Sequence, residues 1–123
     1  MVLDEAVLRR PLRDRAAMGR QLEALLVAGQ RHNVGLRVLP LSAGVFRWAQ
    51  AGTFTVLEFP TDVREPEPTT IYMDGPCGAV YLDKAHEIQT YEDAWRSLGE
   101  RARGADESRE LIHAIAREMT DEA

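Results

Sequence analysis

Two strand-like runs lie close together in the middle of the chain, Leu36–Leu41 and Thr53–Phe59. Both are rich in residues that suit a pleated, half-buried surface. A proline sits at the end of each, Pro40 and Pro60, and removes the ladder donor that would extend the pairing. The runs are therefore expected at the middle of a small sheet. Their connection, residues 42–52, is permissive at Gly44 and Gly52. It places Val45, Phe46 and Trp48 around one cation, Arg47, where solvated polar residues are the rule. That composition suits a surface for a ligand or a partner protein. It is not the signature of any reaction.

The flanking sequence supplies elements to complete the sheet. Val2–Leu8 reads as a first strand that ends before Pro11. Asp4 and Glu5 are neighbours, so in a strand they face opposite sides and do not form a carboxylate pair. Asp14 suits a helix N-cap. Met18, Leu22, Leu25, Leu26 and Gly29 then recur at helical spacing, which predicts a helix over 15–31 with Asn33 as a left-handed stop. A helix between two strand runs implies a crossover joining parallel strands.

Beyond Pro60, residues 61–69 form an acidic, proline-containing loop. Thr70–Asp74 and Ala79–Leu82 flank Gly75-Pro76-Cys77-Gly78 and read as a hairpin. Asp83 can cap a second helix with Ile88, Tyr91, Trp95, Leu98 and Ala102 on one seam. Gly104 breaks it, and a last helix carries Leu111, Ile112, Ile115 and Met119. The expected fold is α+β: a five-stranded mixed sheet with a strand–helix–strand unit, a β-hairpin and two C-terminal helices packed as an αα-hairpin. A chain of 123 residues is expected to be one domain, with 1–104 holding the sheet and first two helices and 105–123 the last helix.

Several function classes are disfavoured. A net charge of −5 argues against direct nucleic-acid binding, which wants a cationic face. With Cys77 as the one cysteine, no intrachain disulfide forms, and a reducing cytoplasm fits. No run is long and apolar enough for a membrane span. His32, His86 and His113 are far apart and share no ligand spacing with Cys77, so neither a metal nor a cofactor is expected. The same separation leaves Cys77 without a linked base, and it reads as a turn residue. Gly75-Pro-Cys-Gly78 precedes a strand, not the helix that a phosphate loop requires. The chain is not expected to be an enzyme.

Three sets of residues remain as binding candidates. Phe46 and Trp48 around Arg47 have the composition of interface centres, although the plain reading folds the two rings over the sheet as core. Arg9, with Arg10, Arg13 and Arg15, forms a basic run that would suit an acidic protein and otherwise is a solvated loop. Tyr72, Asp74 and Tyr81 on the hairpin, beside Glu5, would line a pocket; the plain reading is a buried tyrosine–carboxylate hydrogen bond.

Six segments occur in a familiar order: Leu3–Pro11, Arg37–Gly44, Gly52–Pro60, Thr70–Gly75, Ala79–Leu82 and Asp106–Ile112. Together they resemble the C-terminal domain of unknown function of actinobacterial Xre/Cro-type transcription regulators, the Streptomyces WhiJ-like proteins. The similarity covers nearly the whole chain. It implies a regulatory sensor or protein-interaction domain that alters the DNA affinity of an attached helix-turn-helix. No helix pair precedes Val2, so the chain is expected to be a shortened form or a stand-alone relative. The resemblance further implies a small acidic partner protein, BldB-like or similar, and a homodimer, since two DNA half-sites need two readers. It carries over no catalytic residues. Where such proteins usually have a histidine after Ser-Ala-Gly, this chain has Val45-Phe46. The alternatives are a small-molecule-binding or toxin-like enzyme module, and a pure dimerisation domain.

Overall fold

The computed structural model describes residues 1–44 and 52–121. The contacts divide the chain into two compact units, Met1–Gly44 with Arg101–Ala123, and Val45–Glu100.

The first unit opens with β1 (Val2–Asp4), which runs directly into a short helix, α1 (Glu5–Arg9). The expected strand over Val2–Leu8 is thus cut at its midpoint. Asp4 causes the cut: its Oδ1 accepts the Ala6 N–H at 2.9 Å, an N-cap that strand geometry would forfeit. Asp14 caps α2 (Arg15–Ala28) in the same way, accepting from Ala16 and Ala17. This helix ends at Gly29 in right-handed conformation, and no non-glycine residue among those described has positive φ. Asn33 therefore does not act as the left-handed stop. The chain returns in β2 (Arg37–Leu39), parallel to β1 with Leu3 opposite Val38. The strand–helix–strand unit is present.

Pro40 ends β2, and a 3-10 turn follows over Leu41–Ala43. The last helix of the chain, α4 (Ala105–Asp121), completes this unit by packing on α2 and β2. Leu8, Met18, Leu22, Leu26, Val38, Ile112, Ile115, Ala116 and Met119 form its core. The two helices approach closely at Gly19, where an added Cβ would lie 3.0 Å from Thr120 Cγ2.

The second unit is an antiparallel sheet ordered β3-β4-β5, from β3 (Thr55–Leu57), β4 (Thr70–Gly75) and β5 (Gly78–Leu82). The β4–β5 hairpin closes through Pro76-Cys77, with Gly75 opposite Gly78. Proline cannot take the positive φ that such a short turn favours, and Gly78, at φ 124°, takes it instead. One helix, α3 (Ala85–Arg101), follows. The Lys84 N–H donates to Glu87 Oε1 at 3.2 Å, so Glu87 rather than Asp83 provides the N-terminal cap contact. Tyr91 anchors the helix. Its ring lies 5.0 Å from that of Phe54, and its hydroxyl reaches Met73 Sδ.

Two expectations are corrected. The five strands form two sheets, not one. Arg37 N–H bonds Met1 O, so the groups of Val38 point to the opposite edge of β2. Both are already taken there: Val38 N–H donates to Ser108 Oγ at 2.9 Å, and Val38 C=O accepts from Arg103 N–H at 2.8 Å. The edge that β3 would have used is closed by the start of α4. Within the first unit, α4 packs its apolar stripe on α2. Trp95, expected in the seam of α3, is 46% exposed.

Candidate functional site

Glu5 is the buried charged side chain of the first unit, 8% exposed. It opens α1 and is satisfied on both oxygens. Arg9 Nε donates to Oε2 at 2.6 Å, and the Leu41 N–H donates to Oε1 at 2.9 Å. Burial alone would raise this carboxyl. The two hydrogen bonds and the charges of Arg9 and Arg103 outweigh it and hold Glu5 below the ordinary carboxylate range. The bond from Glu5 raises the Arg9 guanidinium in turn. Arg9 also reaches Glu118 at 3.1 Å, tying α1 to α4. Glu5 and Arg9, both binding candidates from the sequence, are thus brought together as a brace that holds the 3-10 turn.

Beside that turn lies an open cleft of about 380 Å³, lined by Ser42, Ala43, Arg101, Arg103, Gly104 and Glu107 among others. Its base is fixed by backbone. The Arg37 guanidinium donates to the carbonyls of Ala102 and Arg103, both at 2.8 Å, and Ser108 Oγ donates to Arg103 O. Glu107 pairs with Arg103 at 3.3 Å. The cleft is lined by hydroxyl, backbone and arginine groups, and among the described residues none of its lining forms a nucleophile–base pair.

Ser108 was not singled out by the sequence. It is fully buried and holds together β2, the 103–104 connection and α4. Its signal is positional: Ser108, Ile112, Ile115 and Met119 share one helical face, so a serine stands in a core position.

In the second unit, β4 alternates. Ile71 and Met73 share one face with Val56 and Val80, opposite them across the ladders, and Met73 meets Tyr91 of α3. Tyr72 and Asp74 share the other face with Thr55 and Tyr81. Tyr72 stands directly opposite Tyr81, with ring centroids 5.2 Å apart and planes tilted by 52°. Tyr81 is 65% exposed. The Asp74 carboxylate, with smaller contributions from desolvation and Tyr81, raises the Tyr72 phenol above its usual value. Tyr72, Asp74 and Tyr81 are therefore gathered on one outward face, as a surface and not as a closed pocket. Glu5 belongs to the other unit. Cys77 is an exposed free thiol at the tip of the turn.

Phe46, Arg47 and Trp48 lie outside the described residues. Among the described residues no three His, Cys, Asp or Glu side chains cluster as a metal site, and no helix is long and apolar enough to cross a membrane.

A small α+β chain with a braced first unit and an outward-facing aromatic pair on the second is the class these features define. Residues 1–114 match DUF5753, a domain of unknown function, and the chain belongs to that family. No curated protein and no solved structure matches it.

Proposed function

We infer that this chain is the partner-binding, signal-receiving module of an Xre-type transcription regulator, working in the cytoplasm and without catalysis of its own. The observation that carries the reading is the Tyr72–Tyr81 pair beside Asp74, presented outward on a hydrogen-bonded strand pair. Aromatic side chains are the residues that most often anchor protein interfaces. Here they sit on a regular hairpin, so little ordering is needed when a partner docks. Partner binding would act on an attached helix-turn-helix by preferring one of two states of the whole regulator.

Charge bears on the partner. Residues 45–100 carry ten carboxylates against four cations, a net −6, while the remaining residues carry ten against eleven. An acidic partner of the BldB-like kind would be repelled by the tyrosine face. It would have to use the arginine run of the first unit, where Arg9 is already committed to Glu5 and Glu118. A second reading, an effector-binding module, is favoured by the cleft beside Ser42 and Ala43, whose volume lies in the range of small-molecule sites.

The test is capture from a lysate of the source organism with the full chain and with Tyr72→Ala/Tyr81→Ala, read by mass spectrometry. A protein retained by the first and lost by the second, with both chains folded, is the expected result. Equal retention by both contradicts the tyrosine face as the binding surface.

A further inference from the structure

The outward-facing tyrosines share the second unit with a less usual feature, the outer edge of β5. In the order β3-β4-β5, β5 is an edge strand, and among the described residues it pairs with β4 alone. Edge strands are normally guarded by a lysine, a proline, a bulge or a covering element. β5 reads Gly78-Ala-Val-Tyr-Leu82, with no charge and no proline, and its first four residues are exposed, Val80 by 48%. Gly75 and Gly78 flank a two-residue turn and form a mutually hydrogen-bonded pair, so Val80 and Leu82 also point their backbone groups at β4. The N–H and C=O of Ala79 and Tyr81 point the other way, out of the sheet.

We propose that this edge receives an extended, basic segment of a partner protein as a fourth strand, a deepening of the interaction reading that rests on it. Backbone pairing at Ala79 and Tyr81 would supply the register, and Tyr81 with Tyr72 would cover one face of the incoming strand. The charge of the segment follows from the unit. Asp74 stands opposite Ala79 on the tyrosine face, Asp83 directly follows the strand, and Lys84 is the one cation next to them in sequence. Residues 45–100 carry a net −6. The same charge opposes a second copy of this chain as occupant, since edge-to-edge pairing would bring two such units together.

The probe is a synthetic heptapeptide alternating Lys and Val, titrated into the full chain. Two controls match it in length: one alternates Glu and Val, the other is the Lys–Val peptide with every backbone nitrogen methylated, which keeps the charge but has no N–H to donate to a ladder. Amide hydrogen exchange by NMR reads the site. The expected result is binding of the Lys–Val peptide, with slowed exchange at Ala79 and Tyr81. Binding should be at least about tenfold weaker for either control, the size expected from losing a ladder hydrogen bond or a charge contact. Ala79→Pro, which removes an outward N–H while sparing the β4 ladder, should weaken binding by about tenfold. Ala79→Lys, which adds a cation at the same place, serves if the proline variant does not fold.

Equal binding of the two basic peptides, or unchanged binding by both Ala79 variants, overturns the proposal. So does a dimer in the unliganded chain that Ala79→Pro or Ala79→Lys converts to monomer, which would make a second copy the occupant. A captured partner that depends on Tyr72 and Tyr81 but ignores both Ala79 variants would overturn the edge and leave the interaction reading standing.

Discussion

The two units invest their apolar residues differently. In the first, α2 and α4 face each other across Leu22, Ile112 and Ile115, and α1 and β2 add Leu8 and Val38 to the same buried cluster. In the second, Ile71 and Ala94 are buried, while Val80, Tyr81 and Trp95 stay exposed. Polar groups follow the same division. The buried Glu5 and Ser108 of the first unit are bound on all sides by backbone and arginine. Asp74 in the second is exposed, and its charge raises the Tyr72 phenol. A unit built the first way is a scaffold. Both units leave apolar side chains exposed, Val7 and Val27 in the first and Val80 and Tyr81 in the second, so what sets the second apart is its smaller core and the outer edge of β5.

Substitutions can break this contrast. Leu22→Ala or Ile112→Ala should cost about 2–5 kcal/mol in denaturant unfolding, as buried residues of a packed core do. A cost below about 1 kcal/mol at both would remove the first unit's claim to be the scaffold. Ser108→Ala leaves the Val38 N–H buried without its acceptor and should cost about 1–3 kcal/mol, although the change makes the residue more apolar. An unchanged midpoint would mean that the closure of the β2 edge contributes nothing.

Glu5 sharpens the contrast through pH. Its folded value lies below its unfolded one, so its contribution is fully present above the ordinary carboxylate range. That contribution is lost as pH falls through the lower, folded value. Wild-type stability should therefore drop more steeply on acidification from about pH 5 to pH 3 than that of Glu5→Gln. Parallel curves would show that Glu5 carries no ionic brace. The smallest effect is expected in the second unit. Tyr81→Ala removes one ring of a cross-strand pair and should cost less than about 1 kcal/mol. A loss as large as that of Leu22→Ala would make Tyr81 a core residue and end its candidacy as an anchor.

Much of the local structure could be read from the chain. The α2 stripe, the α4 stripe and the hairpin at Pro76-Cys77 follow from spacing and turn chemistry. The parallel pairing of the first two strands follows from the helix between them. The partition into two sheets does not, because it is decided by Ser108 and Arg103 closing Val38 from about seventy positions away. Nothing near Val38 announces them. The cut of the first strand was closer to hand: Asp4 two residues before Ala6 is a capping arrangement, but a mixed stretch of Val, Leu and carboxylates fits either period. Helical periodicity says which face of α4 is buried and not which element buries it.

At the candidate site, Tyr72, Asp74 and Tyr81 were legible as neighbours because alternation in a hairpin fixes them on one face. Glu5 was drawn to them only by the assumption of a single sheet. Its true partners, Arg9 four residues on and the Leu41 N–H, depend on α1 being a helix.

The contrast between scaffold and exposed surface is tested most directly by native-state hydrogen exchange on the full chain, resolved by residue. Amides of Leu22, Leu26, Ile115, Ala116 and Met119 should exchange only through global unfolding, with protection that follows Leu22→Ala and denaturant. Those of Ala79 and Tyr81 should exchange far faster and ignore both. If the β5 amides were protected as strongly as those of α4, the edge would be covered in the free chain and the second unit would not be the accessible surface described here.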